Sequence, residues 1–452
     1  MADNLYGMTG ARVVLGVGLV GLTAMGCGGD RGGGDDGLVG GGIGMPTEGN
    51  ADGLTSPNDE SDGGEKLDIG SGTDLGPAGD CGDNGMGGDT EFSYIWIANS
   101  PNGTVSKIDT ATGVEVGRYY TGPTNGQDDP SRTSVNLAGD IAVTNRSGSI
   151  TKIAAQPDNC VDSNGDGVIT TSTGAADVKP FGEDECVLWT VNLPAGQAPP
   201  QGPRPTAWDT GDDGNPCTTT DDRVWVGYFD IVANAGHFFR LNGLNGSIDD
   251  EAVAANWDVT GGRDYGPYGG ATDADGHFWV TGLRGPLVKI DAVTLQTQQW
   301  EMPASTQSYG MTLDADGHVW TAGLGGELAH FDPDTQLFDV YAIGSNSLRG
   351  LQIDRDGIAW VAVNGACGVA KFDVGTRTVV NPLIPLPGCD TPVGVSIDVE
   401  GFVWIPDQGA NLAFKLDPVT LSSTVTTGLV APYTYSDMTG AGLGLVVNPP
   451  AG

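Results

Sequence analysis

The 452-residue chain carries 58 Asp and Glu against 20 Lys and Arg, a formal charge of -38, together with 75 Gly and 27 Pro. That acidity repels phosphate backbones and speaks against nucleic acid as a partner, whereas it suits divalent cations, cationic partners or plain solubility in a salty exterior. So much glycine and proline, with only 38% hydrophobic residues, excludes a helical protein and points to many short strands joined by turns.

At the N-terminus Arg12 precedes the apolar stretch 13–23, too short to span a membrane, and small residues follow as far as Gly26 and Cys27. This order predicts an export signal over residues 1–26. The run Leu22-Thr23-Ala24-Met25-Gly26-Cys27 resembles a bacterial lipoprotein signal. The resemblance implies lipidation at Cys27, the membrane as a partner through that anchor, and residence at the outer membrane or cell surface. The alternative is a periplasmic or secreted protein with an incidental Cys27. Residues 27–90 are Gly, Asp, Ser and Asn with scattered apolar residues. Such a segment buries too little apolar surface to offset its ordering entropy and reads as a disordered, self-repelling tether. The six remaining cysteines, without a CxxC pair, read as disulfides. Proximity favours Cys160–Cys186 and Cys367–Cys389, which leaves Cys81–Cys217 to staple the tether's end, although spacing alone does not fix connectivity.

Over residues 91–452 one unit recurs. An apolar strand leads into an Asp-x-Asp-Gly-like turn such as Asp273-Ala274-Asp275-Gly276 or Asp314-Ala315-Asp316-Gly317, then a strand centred on Trp, a third strand ending in Asp, and a fourth strand. Trp279, Trp320, Trp360 and Trp404 are 41, 40 and 44 residues apart. Four strands at that period predict an all-β propeller. Counting the central strand gives seven blades, at Trp96, Ala142, Trp225, Trp279, Trp320, Trp360 and Trp404, and the indoles read as packing between blades. Each third-strand Asp (Asp109, Asp291, Asp332, Asp373, Asp417) has a Thr three residues on, a spacing that closes a hairpin turn. The first blade lacks its leading strand, and the stretch 435–447 reads as that strand, so the C-terminus is expected to close the ring of a monomer.

Within blade 2 an insertion, 155–187, contains Asp162-Ser163-Asn164-Gly165-Asp166-Gly167-Val168. Oxygens from Asp162, Asn164, Asp166 and the Val168 carbonyl, with Gly at position 6, resemble a calcium loop of the EF-hand kind. Position 12 is Thr173 rather than an acid, so Asp158, Asp177 or Glu183 would have to complete a structural calcium site; the other reading is a plain Asn/Asp/Gly turn.

The unit Gly-Met-Thr-Leu-Asp-Ala-Asp-Gly-His-Val-Trp (310–320), followed by Phe331-Asp332-Pro333-Asp334-Thr335, resembles the streptogramin lyase family. The resemblance spans roughly residues 92–447. It implies a seven-bladed propeller that opens a cyclic depsipeptide by elimination, with magnesium, carboxylates and a catalytic His near the axis. The positions matching the family's His are Arg132, Arg204, Tyr268, Tyr309, Arg349, Val393 and Tyr435; those matching its Glu are Asn99, Asn145, Tyr228, Gly282, Gly323, Val363 and Asp407. No His survives, and Asp407 is the one carboxylate, so a divergent lyase would depend on Asp407 and a recruited metal. The four histidines, His237, His277, His318 and His330, read as turn or strand residues. What aligns instead is Arg132, Arg204, Tyr268, Tyr309, Arg349 and Tyr435, a predicted axial funnel for an anionic or carbohydrate-like ligand. The other reading of these arginines is that they neutralise nearby acids. The expectation is a non-catalytic binding module, with the lyase and a purely structural surface protein as alternatives.

Overall fold

Inner strands such as Ser308–Leu313 are buried at every position, whereas the outermost strand of the same sheet, Leu337–Ala342, is mostly exposed. A meander apolar on both faces must be covered on both, and a ring of like meanders does this without leaving a face open. The computed structural model describes residues 93–193, 202–211, 221–257, 266–447 and 449–450; the expected export signal, Cys27, the expected 27–90 tether and the expected Cys81–Cys217 pair lie outside them. Among the described residues seven antiparallel sheets follow in chain order: blade 1 (94–120) with three strands, then blades 2 (130–192), 3 (206–255), 4 (267–300), 5 (308–342), 6 (348–385) and 7 (396–427) with four each. The chain is thus an all-β, seven-bladed propeller.

Each central Trp buries its indole against the next blade. Trp96 joins Val135 and Val143 of blade 2, Trp225 joins Phe278 and Val280 of blade 4, and Trp279 joins Leu313 and Phe331 of blade 5. Trp320, Trp360 and Trp404 do the same against blades 6, 7 and 1. The turns fix these indoles from within their own repeat. Asp273, Asp314, Asp354 and Asp398 each accept backbone N–H groups two and four residues on with Oδ1, and with Oδ2 the indole N–H six residues on, at 2.8 Å in all four blades. The third-strand carboxylates behave as their spacing predicts: Asp109, Asp291, Asp332, Asp373 and Asp417 each accept the N–H of the Thr three residues on. Those bonds, with further backbone donors, hold Asp332 and Asp417 below the usual carboxylate range.

Blade 1 obtains its innermost position from the far end of the chain. Asn99 bridges to Pro432, Tyr433 N–H donates to the Ala98 carbonyl at 2.9 Å, Ala98 N–H to Thr434 Oγ1 at 2.9 Å, and Trp96 N–H to the Met438 carbonyl at 3.0 Å. On its other side this segment bonds to Thr133 of blade 2 through Ser436, and to Ser396 and Ile397 of blade 7 through Thr439. The expected strand 435–447 is corrected in two respects. The closing contacts run over 432–438 as an irregular ladder, and Ala441–Val447 is a short helix, α1. Its apolar run suits either conformation; Leu443 and Val446 pack into the cluster of Met311 and Leu313, and Leu445 into that of Leu351 and Ile353, so burial decides for helix. In this way α1 caps one end of the axis.

The insertion leaves blade 2 between its strands Ser149–Ile153 and Val187–Asn192. The Cys160–Cys186 and Cys367–Cys389 bridges are both formed, with Cα separations of 4.4 and 5.7 Å.

Candidate functional site

The aligned residues at the head of the innermost strands do converge on the axis. Arg132 donates from Nε and Nη2 to the Tyr268 carbonyl at 3.1 and 2.8 Å, and its guanidinium lies over the rings of Tyr435 and of Tyr268, the latter at 4.8 Å. Arg204 stacks on Tyr268 at 5.0 Å and Arg349 on Tyr309 at 4.4 Å. The rings meet one another, Tyr309 and Tyr435 with centroids 4.4 Å apart. Tyr433, two residues ahead of the aligned Tyr435 and not anticipated, ties the group together through hydroxyl contacts of 2.7 Å to Tyr309 and 3.3 Å to Tyr268.

This is a packed cluster rather than the open funnel expected. Arg132, Arg204, Tyr268, Tyr309 and Tyr435 are at most 4% exposed, and only Arg349 and Tyr433 are half-buried. The reason is the glycine that follows four of the seven aligned positions, Gly269, Gly310, Gly350 and Gly394 after Tyr268, Tyr309, Arg349 and Val393. A Cβ on Gly310 would come within 2.7 Å of the Gly350 Cα, one on Gly350 within 2.8 Å of the Gly394 Cα, and one on Gly394 would strike the Thr434 carbonyl. Glycine therefore lets successive innermost strands touch backbone to backbone, and the axis narrows.

The charge balance is unusual for so acidic a chain. The groups acting on Arg132 are phenols and Arg204, and its Nη1 is buried without a hydrogen-bond partner, as is Nε of Arg349. Burial, with Arg204 alongside, pulls Arg132 down to about 9, which leaves it charged at neutral pH. Burial lifts the Tyr268 and Tyr309 phenols, with Tyr433 adding to the rise. For Tyr433 the same desolvation is outweighed by Arg132 and by the two hydroxyls beside it, so its phenol sits below the ordinary value. Beneath this layer a cavity of about 30 Å³ lies against α1, lined by Ser134, Thr206, Thr312, Gln352 and Asp437. Burial pushes the Asp437 carboxyl up to about 6 even though it accepts the N–H groups of Thr439 and Gly440.

The other sequence candidates fall elsewhere. Asp407 is fully buried and accepts the N–H groups of Asp390, Thr391 and Ala410, so its oxygens hold a turn. With guanidinium, phenol and Val393 side chains at the positions matching the family's His, and Asn99, Asn145, Tyr228, Gly282, Gly323 and Val363 at the others matching its Glu, the residues present offer no free carboxylate to magnesium at this mouth. In the insertion, Asp162 accepts the N–H groups of Gly165 and Gly167, Asn164 that of Asp166, and Asp166 that of Val168, whose side chain is exposed. Asp177, one candidate to replace the missing twelfth-position acid, is engaged by Lys179 at 2.7 Å. An unforeseen residue, Glu185, gathers the loop by accepting the N–H groups of Ser163, Asn164 and Thr170. Two of the four histidines meet, His318 Nδ1 and His330 Nε2 lying 3.0 Å apart. Burial, then Arg377 and His318, lower His330 to about 4.

The ring and its occluded, arginine- and tyrosine-rich axis define a seven-bladed propeller closed by its own C-terminal segment. No protein-family model and no curated protein matches the chain. Similar solved structures include a streptogramin B lyase (15% identity over 70% of this chain and 87% of that one, TM-score 0.49) and virginiamycin B lyase from Staphylococcus aureus (15%, 71% and 94%, TM-score 0.47). Apo AztD from Citrobacter koseri is another (13%, 76% and 97%, TM-score 0.48). At such identities the likeness is one of fold.

Proposed function

We propose that the protein is an exported, lipid-anchored monomeric propeller that binds an anionic or carbohydrate-like ligand at the axial mouth without transforming it. One observation carries this reading. In a chain of net charge -38, Arg132 and Arg349 stand at the axis without a carboxylate partner among the described residues, beside tyrosines suited to stacking. Arg349 and Tyr433, the half-buried members, form the rim that a ligand would meet first.

Calorimetric titration with citrate, inorganic phosphate and oligogalacturonate tests the binding. Arg349→Ala is expected to lower the affinity for the bound probe about tenfold, the loss of one charge-assisted hydrogen-bonding group. Absence of binding for all three probes, or unchanged affinity in Arg349→Ala, would sink the reading. Palmitate labelling of wild type and Cys27→Ala tests the anchor separately. For the insertion we propose a structural calcium ion held by Asp162, Asn164, Asp166 and the Val168 carbonyl; the loop's own N–H bonds already fix the three side chains within one turn.

A further inference from the structure

In four blades the residue opposite the central Trp on the third strand is lysine. Lys107, Lys289, Lys371 and Lys415 lie 5.8, 5.2, 4.5 and 5.8 Å from the indoles of Trp96, Trp279, Trp360 and Trp404. In blades 4 and 7 the same ammonium is also 3.8 and 3.5 Å from the turn carboxylate, Asp273 or Asp398. Blade 5 keeps the turn, as Asp314, and the indole, as Trp320, but its register places His330 opposite Trp320. A buried imidazole does not replace an ammonium charge. Arg377 of blade 6 stacks on Trp320 at 4.9 Å but makes no ion pair with Asp314 among the described residues.

We propose that Asp314, His318 and His330 form a binding site for a divalent transition-metal ion of the zinc class, which takes the position that lysine holds in the sister blades. His318 Nδ1 is 3.0 Å from His330 Nε2 and 3.9 Å from Asp314 Oδ2. Both separations fall within the span of roughly 4.1 Å that two ligands of one ion can have, each bond being about 2.0–2.1 Å. Two imidazoles and one carboxylate suit zinc, nickel or copper better than calcium or magnesium. The outward nitrogens face carboxylates from beyond hydrogen-bond reach, and that of His330 is buried without a hydrogen-bond partner. His330 Nδ1 lies 3.7 Å from Asp339 Oδ2, and His318 Nε2 4.0 Å from Asp332 Oδ1. On binding, closure of these gaps to hydrogen-bond distance would give each ligating imidazole the carboxylate that orients such ligands and raises their basicity. His330 and Asp314 are buried whereas Asp332 and Asp339 reach the surface, so the ion would enter from the rim, away from the axial mouth.

The test is calorimetric titration of the chelator-treated, untagged chain with zinc, beside its His318→Gln, His330→Lys, Asp339→Asn and His277→Gln variants. One ion per chain is expected for wild type and His277→Gln, none for His330→Lys, a loss of tenfold or more for His318→Gln, and a loss of about tenfold for Asp339→Asn. His330→Lys installs the residue of the sister blades and should melt as wild type does. If it fails to fold, His318→Gln, at a partly exposed turn, carries the test. No zinc uptake by wild type, unchanged uptake in His318→Gln, or loss confined to His277→Gln would overturn the site.

Discussion

The basic residues of the blades and those of the axis meet opposite fates. On the blades Lys289 and Lys415 each lie between a turn carboxylate and an indole of their own repeat, with the charge answered locally. At the axis Arg132 and Arg349 are answered by aromatic faces and carbonyl oxygen contributed by other blades. A cation paired within its own repeat is a structural part of that repeat. One assembled from remote blades without a carboxylate is stable only while the ring holds.

The largest expected effect comes from removing the axis outright. Deleting residues 433–452 takes away Tyr433, Tyr435 and the closing ladder, and should abolish cooperative melting by calorimetry; a sharp transition at the wild-type temperature would show that the ring does not need its strap. Next, Arg132→Ala should cost about 2–4 kcal/mol in urea denaturation, because it strips a desolvated cation from two rings and opens a void. Lys371→Ala, a half-buried blade lysine, should cost only about 0.5–1 kcal/mol. Equal costs would erase the distinction between axis and blade. Asp354→Ala falls between them, at about 1–3 kcal/mol, since it orphans the Trp360 indole and two backbone donors.

Stability should also depend on pH. Burial raises the Asp209, Asp222 and Asp437 carboxyls to about 6, 7 and 6 from 3.8. Between those values the unfolded chain has already released protons that the folded chain retains. Stability therefore falls as pH rises from about 4 to 7, and general repulsion at high negative charge acts in the same direction. Below about 4 the depressed Asp332 and Asp417 act in the opposite sense, so the melting temperature should peak near pH 4–5. A melting temperature that climbs from pH 4 to pH 7 would contradict the burial of these acids. The smallest effect is expected from removing the proposed calcium: with Glu185 and the Cys160–Cys186 bridge already holding the insertion, chelation should shift melting by only a few degrees.

The difference between blade and axis also explains what the sequence made legible. Asp to Trp at six residues and Asp to Thr at three are contacts inside one repeat, so their spacing betrays them. The aligned positions likewise predict that Arg132, Arg204, Tyr268, Tyr309, Arg349 and Tyr435 share a level. Their mutual burial depends on backbone approach at Gly310, Gly350 and Gly394 and on α1 sealing the far end, neither of which is a local signal. Tyr433 escaped because it lies off the aligned register. The His318–His330 contact escaped because each ring, taken singly, looks like a turn or strand residue; only the hairpin pairing of Trp320 with His330 sets them side by side.

The strap that completes blade 1 has a consequence for how the molecule is made. The bond from Ala98 to Thr434 joins residues 336 positions apart, so the first blade to be synthesised is the last that can be finished. Until residues 432–438 have been made, blade 1 presents an unpaired strand edge to chaperones and to other nascent chains. Closure is therefore a late, long-range step on the folding pathway.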